Sequence, residues 1–417
     1  MMGARLVSPS DSRTGDHARD ASLAPVARRR RLRTVNDAMT GLLRAAAAAH
    51  ERRDPPPIAS APRKVLFVKL VGLGDAVMVR SLAEHLQRAR PEVEIGMLGG
   101  PATADVLGAL PRVTVHQYDP ANLDRGLRAG LRVLRAIRFQ AYDAVVDFEQ
   151  HLAAIAMFLR ATEIPIRIGL ASGSHPRALF QTHTVELTGD GRMWDAYASL
   201  LRVIAPSVVP WGALPLRYPP ATIASVDQWW THNGLDRCRK IAAFHVGSGG
   251  RSAARRWPVD RFAGVAAALS GANAIDAVVL TGRPEERPLV EQFAGMFPGR
   301  TVDATGLGSV VMTAEVLRRC RVAISNDTGI MHLAAAMGTP TVGLFGPNTP
   351  ARYAPVGPLT DSVYATRVSC SPCINIHNGQ VPECFARDTG RCMLDLDVSS
   401  VTVRVLALIT QLDTRCA

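Results

Sequence analysis

Hydrophobic residues in this chain fall into short, nearly uninterrupted runs. From Lys64 onward, Val65-Leu66-Phe67-Val68-Lys69-Leu70-Val71 is almost wholly apolar and stops at Gly72. A run of that length is too short for an independent helix and reads as a strand buried on both faces of a parallel sheet. Such runs recur at 94–98, 113–117, 144–147 and 167–170, with helical spacing between them at 76–89 and 123–137. After a looser passage at 205–220, rich in Pro and Trp, the alternation restarts. Strands are predicted at 241–245, 277–281, 322–325 and 341–345, helices at 259–269, 286–297, 313–320 and 332–337, and a closing helix at 399–412. Strand and helix in alternation mean βαβ units. The expected fold class is therefore α/β, with two doubly wound, Rossmann-like domains facing across a cleft, at 61–217 and 218–417. Residues 1–60 lack a sustained period and read as a disordered arm, either a dispensable extension or a segment attracted to anionic lipid.

Composition sharpens this picture. A chain of 417 residues exceeds what one core supports, and 47% hydrophobic residues suffice for two. The formal charge of +12 suggests nucleic acid at first sight, yet of 48 basic residues only Lys64, Lys69 and Lys240 are lysine. Aromatics, on which bases would stack, make up only 5%. About +5 of the charge sits in the first 60 residues, where eleven arginines face six acidic residues. No nucleic-acid partner is expected. No run approaches the roughly 18 apolar residues of a membrane span. The arginines between 28 and 33 lead into Thr34-Val35-Asn36-Asp37 rather than into an apolar signal segment. A cytoplasmic location is expected, with peripheral contact at the inner face of the membrane.

Three turns at predicted strand ends carry chemistry, because ligands of doubly wound sheets sit at the carboxyl ends of the strands. The first, Leu70-Val71-Gly72-Leu73-Gly74-Asp75, lacks the third glycine of a dinucleotide fingerprint. Asp75 either caps the following helix or acts as a general base on an acceptor hydroxyl. The second, His245-Val246-Gly247-Ser248-Gly249-Gly250-Arg251-Ser252 followed by Arg255-Arg256-Trp257-Pro258, offers backbone N–H groups and guanidinium forks to phosphate. It lacks the Gly-Lys-Ser/Thr ending of a P-loop. In the third, Ser325-Asn326-Asp327-Thr328-Gly329-Ile330-Met331-His332, polar groups gather at a helix N-terminus that favours an anion. Gly346-Pro347-Asn348 ends the next strand. Together the turns describe a diphosphate ligand held between domains.

These motifs, from Val65 through Gly72-Leu73-Gly74-Asp75, Arg255-Arg256-Trp257-Pro258 and Asp327-Thr328-Gly329 to His332, resemble glycosyltransferase family 9, the family of ADP-heptose:lipopolysaccharide heptosyltransferases. The resemblance covers about 63–410. It implies a GT-B fold with an N-terminal acceptor domain and a C-terminal nucleotide-sugar domain. It further implies inverting transfer of a heptose, from ADP-heptose, to an anionic lipopolysaccharide-core acceptor, with no cofactor required. Asp75 takes the base role. Ser248, Arg255, Glu286, Asp327, Thr328, Gly329 and His332 bind the donor, Arg255 standing where members often carry a lysine. Arg160, Arg167, His175, Arg177 and His183 suit a phosphorylated acceptor. Two alternatives remain: another sugar donor with a protein or natural-product acceptor, or a non-catalytic binding module of the same fold.

Cys370, Cys373, Cys384 and Cys392 follow a C-x2-C-x10-C-x7-C spacing in a loop at 370–392. Four thiolates close a structural zinc site or hold iron; free thiols are the other reading.

Overall fold

The computed structural model describes residues 58, 60–119, 123–150, 152–171, 176–188, 191–249, 253–365, 368–374, 384 and 390–416. The expected arm at 1–60 lies outside them, apart from Ile58 and Ser60. Strands β1 (Lys64–Lys69), β2 (Glu94–Gly99), β3 (Val113–Gln117), β4 (Ala144–Asp147), β5 (Ile166–Ala171) and β6 (His183–Glu186) form one sheet. Strands β7 (Ile241–His245), β8 (Ala277–Leu280), β9 (Thr301–Asp303), β10 (Val322–Asn326), β11 (Thr341–Phe345) and β12 (Thr360–Tyr364) form a second. The orders are β3-β2-β1-β4-β5-β6 and β12-β11-β10-β7-β8-β9, and every pairing is parallel.

Both sheets are thus doubly wound with the same order, and each reverses direction once: between β1 and β4 in the first, between β7 and β10 in the second. At such a switch point neighbouring loops leave toward opposite faces and open a crevice. The three candidate turns therefore belong together by topology, since they follow β1, β7 and β10, strands that border the two switch points.

The longer helices are α1 (Leu73–Ala89), α2 (Leu123–Gln140), α3 (Ala153–Ala161), α4 (Met193–Arg202), α5 (Pro220–His232), α6 (Val259–Gly271), α7 (Arg287–Met296), α8 (Val310–Arg319), α9 (Gly329–Ala336) and α10 (Val398–Cys416). Central strands β1, β4, β7, β10 and β11 are buried almost throughout, as their apolar runs require. The sequence pattern did not predict β6, β9 or β12, whose polar-rich His-Thr-Val-Glu, Thr-Val-Asp and Thr-Asp-Ser-Val-Tyr lie at or beside the sheet margins. One continuous apolar cluster runs from the first sheet through α1 to Leu216, Leu333 and Met337, so both halves share a core layer. In the second half, Val401, Val405, Leu408 and Ile409 of α10 pack with Trp257, Phe262 and Leu344.

The passage at 205–219 is not slack. Arg80 Nη1 donates to Leu214 O at 3.0 Å, Leu214 N donates to Ser81 Oγ at 3.0 Å, and His85 Nε2 lies 2.9 Å from Gly212 O. The chain crossing between the sheets is pinned along α1.

Candidate active site

Gly72 starts the first turn with φ of 92°, a conformation that a β-carbon disfavours. Helix α1 begins at Leu73, so Asp75 stands within its first turn, and no side chain caps this end. The capping alternative for Asp75 is thereby removed. Its Oδ2 instead lies 3.2 Å from Lys69 Nζ. Lys69 closes β1 with its side chain only 2% exposed, and its ammonium also donates to Phe148 O at 3.1 Å and lies 3.6 Å from Glu149 Oε2. Burial works against the charge, but the carboxylates of Asp75 and Glu149 outweigh it and hold Lys69 above the usual lysine range. Glu149 Oε1 meanwhile accepts from Leu70 N at 2.5 Å and Val71 N at 3.1 Å, fixing the turn. Tyr197, whose ring centroid is 5.7 Å from Lys69 Nζ, accepts from Gln150 Nε2 at 2.7 Å. Burial, then the charges of Asp75 and Glu149, push the Tyr197 phenol well above its ordinary value. Tyr353, from the second half of the chain, is pushed up by burial and by Asp75.

The second half supplies the opposite wall. Asp327 follows β10, and Thr328, not Asp327, is the N-cap residue of α9. Asp327 Oδ2 accepts from Asn348 Nδ2 at 2.9 Å, and Arg255 Nη1 reaches Asp327 O at 2.9 Å and Oδ2 at 3.4 Å. Asn326 ties this turn to the glycine-rich one: its Nδ2 donates to Val246 O at 3.1 Å and Gly247 O at 2.8 Å, and its Oδ1 accepts from Trp257 N at 2.9 Å. Ser325 Oγ and Thr328 Oγ1 lie 3.2 Å apart. Three buried polar atoms on this wall, Ser248 Oγ, Arg255 Nε and His332 Nδ1, have no hydrogen-bond partner among the described residues. Burial pulls the His332 imidazole below its ordinary value, against the charges of Asp327 and Asp75.

The two helix N-termini meet. A β-carbon on Gly329 would stand 2.5 Å from Leu73 Cβ and 3.0 Å from Gly74 N. Close approach therefore demands glycine at the start of α9. Asp75, Asp327, Thr328, Gly329, His332 and Arg255 are brought to one cleft. Glu286 serves the same wall from behind: its oxygens accept from Gly249 N and Arg283 N, each at 3.0 Å, and any β-carbon on Gly247 would collide with it. Glu286 thus braces the glycine-rich turn, and it precedes α7 instead of opening it.

Two sets of sequence candidates sit differently from expectation. Arg177, expected to suit a phosphorylated acceptor, is buried and engaged in the interior: its Nη2 lies 2.5 Å from Asp147 Oδ2 and its Nη1 donates to Leu152 O at 2.8 Å. Arg167 is taken up by Phe180 O and Ile164 O, and His175 lies outside the described residues. Cys370, Cys373, Cys384 and Cys392 are thiols rather than disulfides. No group of three or more His, Cys, Asp or Glu side chains is placed to hold a metal ion among the described residues. Burial, then the neighbouring Cys370 and Cys384, pushes the Cys373 thiol up, and burial with Cys373, Cys384 and Cys370 nearby takes that of Cys392 to about 11.

Lys69 and Glu149 were missed as site residues. For Lys69 the available signal was compositional: a lysine inside an apolar strand, in a chain with only three lysines among 48 basic residues.

Two doubly wound parallel domains, with their switch-point turns facing across a cleft, define the GT-B class of glycosyltransferases. The chain belongs to the family described as glycosyltransferase family 9 (heptosyltransferase), whose profile matches residues 130–381, more than half of its length. It is 21% identical over 312 residues to the lipopolysaccharide core heptosyltransferase OpsX of Haemophilus influenzae, covering 74% of this chain and 86% of that one. To lipooligosaccharide heptosyltransferase 2 of Haemophilus ducreyi it is 29% identical over 340 residues, covering 77% and 93%. Its fold is similar to a family 9 glycosyl transferase from Veillonella parvula (TM-score 0.66, 20% identity, 84% of this chain and 97% of that one). It is likewise similar to Escherichia coli ADP-heptose lps heptosyltransferase II (TM-score 0.62, 18% identity, 84% and 99%).

Proposed function

We propose that this glycosyltransferase moves a heptose from a nucleoside diphosphate heptose, ADP-heptose by analogy with its relatives, onto the anionic sugar core of a lipopolysaccharide precursor, at the inner face of the cytoplasmic membrane. The observation that carries the donor half is the set of three buried, unpartnered polar atoms, Ser248 Oγ, Arg255 Nε and His332 Nδ1, around the start of α9. Buried polar atoms call for partners, and a diphosphate at a helix N-terminus supplies acceptors that match. Arg255 neutralises leaving-group charge, Thr328 and Gly329 offer the helix N-terminus, and Asp327, held by Arg255 and Asn348, faces the sugar. Glu286 keeps the glycine-rich turn in shape.

Asp75 stands across the cleft as general base. The acceptor O–H proton passes to its carboxylate as the acceptor oxygen bonds to the anomeric carbon. The bond from that carbon to the diphosphate oxygen breaks, and its electron pair leaves with the diphosphate. Attack opposite the departing group inverts the anomeric centre. Positive charge gathers on the sugar and negative charge on the leaving group, so preformed dipoles and a guanidinium at the diphosphate act where charge develops.

A thermal-shift comparison of ADP-heptose with UDP and GDP sugars tests the donor. A ligand at 100 times its dissociation constant should stabilise the protein by about 2.7 kcal/mol. A UDP or GDP sugar as the strongest stabiliser overturns the reading.

A further inference from the structure

The first sheet buries more charge behind Asp75 than a helix start requires. Lys69 has its ammonium 3.2 Å from Asp75 and 3.6 Å from Glu149, with Phe148 O as a neutral third partner. Tyr197 and Tyr353 face the same charges, and His332 approaches from the second half of the chain. A single ammonium beside a single carboxylate would be a poor setting for a base: protonating the carboxylate would strand a buried cation, a costly state. Glu149 changes that balance, because it remains beside Lys69 whichever protonation state Asp75 adopts.

We propose that Lys69 and Glu149 are an opposed pair of positioning residues that set the basicity of Asp75. Lys69 holds Asp75 ionised and aimed, and Glu149 keeps Lys69 neutralised when Asp75 takes up a proton. The inference deepens the reading of Asp75 as the general base and rests on it. Before proton uptake the three groups carry a net charge of −1; afterwards Lys69 and Glu149 remain as a neutral pair. Glu149 is suited to this because its Oε1 is fixed by Leu70 N and Val71 N while Oε2 faces the ammonium. Neither residue touches the acceptor in this scheme; both act through Asp75.

The two charges should move Asp75 in opposite directions, a signature that a merely structural role lacks. The test is a carbon-detected NMR titration of the full chain carrying labelled aspartate, with the Asp75 signal assigned by its disappearance in Asp75→Asn. Lys69→Met should raise the Asp75 titration midpoint and Glu149→Gln should lower it, each by roughly one pH unit or more. Lys69→Arg, which keeps the charge, should restore a midpoint near that of the unsubstituted protein. Glu149→Gln preserves an oxygen for the Leu70 and Val71 amides, so it decides the matter even where Lys69→Met fails to fold. Midpoints that stay put, or that move in the same direction in both variants, overturn the proposal. The titration needs no sugar substrate, so its outcome is separate from that of the donor screen. Transfer by Asp75→Asn at the unsubstituted rate would remove the base reading itself.

Discussion

The imidazole of His332 rests against the α-carbon of Gly74: a β-carbon there would lie 2.5 Å from His332 Cδ2. Real carbon atoms do not approach so closely in a packed interior. The first turn of α1 therefore meets the first turn of α9 only because position 74 has no side chain. Gly74→Ala should force the two walls apart by a fraction of an ångström to an ångström. Because misplacement on that scale costs about a hundredfold in rate, transfer should fall steeply while nucleotide binding to the second half persists. Steady-state kinetics beside calorimetric ADP binding separates the two effects. Equal losses in both would show that the contact supports the donor wall alone.

Asp75→Ala should abolish sugar transfer and leave nucleotide-sugar binding within about twofold, since no donor-side group depends on its hydrogen bonds. Removal of a general base costs about 10²–10⁴-fold in rate. A radiolabelled-sugar transfer assay together with an equilibrium binding measurement checks both halves of the expectation, and brisk turnover would assign the proton to another group.

Arg255 holds Asp327 with one nitrogen and keeps a second buried nitrogen unpartnered among the described residues. Arg255→Ala should weaken nucleotide-sugar affinity by about tenfold or more, the loss of a charge-assisted contact. Arg255→Lys should recover much of it, since the charge survives although the fork does not. Isothermal titration with all three proteins reads the order directly.

Glu315 on α8 is clasped by Tyr218 Oη at 2.6 Å, Arg318 Nε at 2.7 Å and Arg319 Nε at 2.7 Å. Burial alone would raise its carboxyl, but these hydrogen bonds outweigh burial and bring it down to about 2. A carboxyl depressed on folding contributes stability that is complete above its unfolded value and is lost as pH falls through the folded one. With an unfolded value near 4.3, that loss falls in the acid range between the unfolded and the folded value. Urea denaturation between pH 6 and 2.5 should therefore show a steeper loss of stability on acidification for the unsubstituted protein than for Glu315→Gln. Parallel curves would mean that the cluster contributes nothing through ionisation.

The central strands were legible because burial on both faces writes itself into sequence as an apolar run, and the turns after them because glycines and polar residues interrupt those runs at switch points. β6, β9 and β12 were not legible: short and rich in polar residues, they carry no periodic signal of their own. Asp75 and Asp327 stood out at the ends of strands, but their partners are remote in sequence. Glu149 reaches Lys69 across the β1–β4 switch, 80 positions away, and only the fold makes them neighbours. Arg177 failed in the opposite sense, because a carboxylate thirty positions upstream claims it in the interior.

The pinning of residues 212–214 along α1 bears on how this chain tolerates change. A stretch without regular structure ordinarily absorbs insertions and deletions with little effect. Here the carbonyl and amide of Leu214 and the carbonyl of Gly212 are docked on three residues of one helix, and that helix carries Asp75 at its other end. One residue added or removed would put those groups out of step with Arg80, Ser81 and His85. In length, if not in shape, the connection behaves as rigidly as the helix it follows.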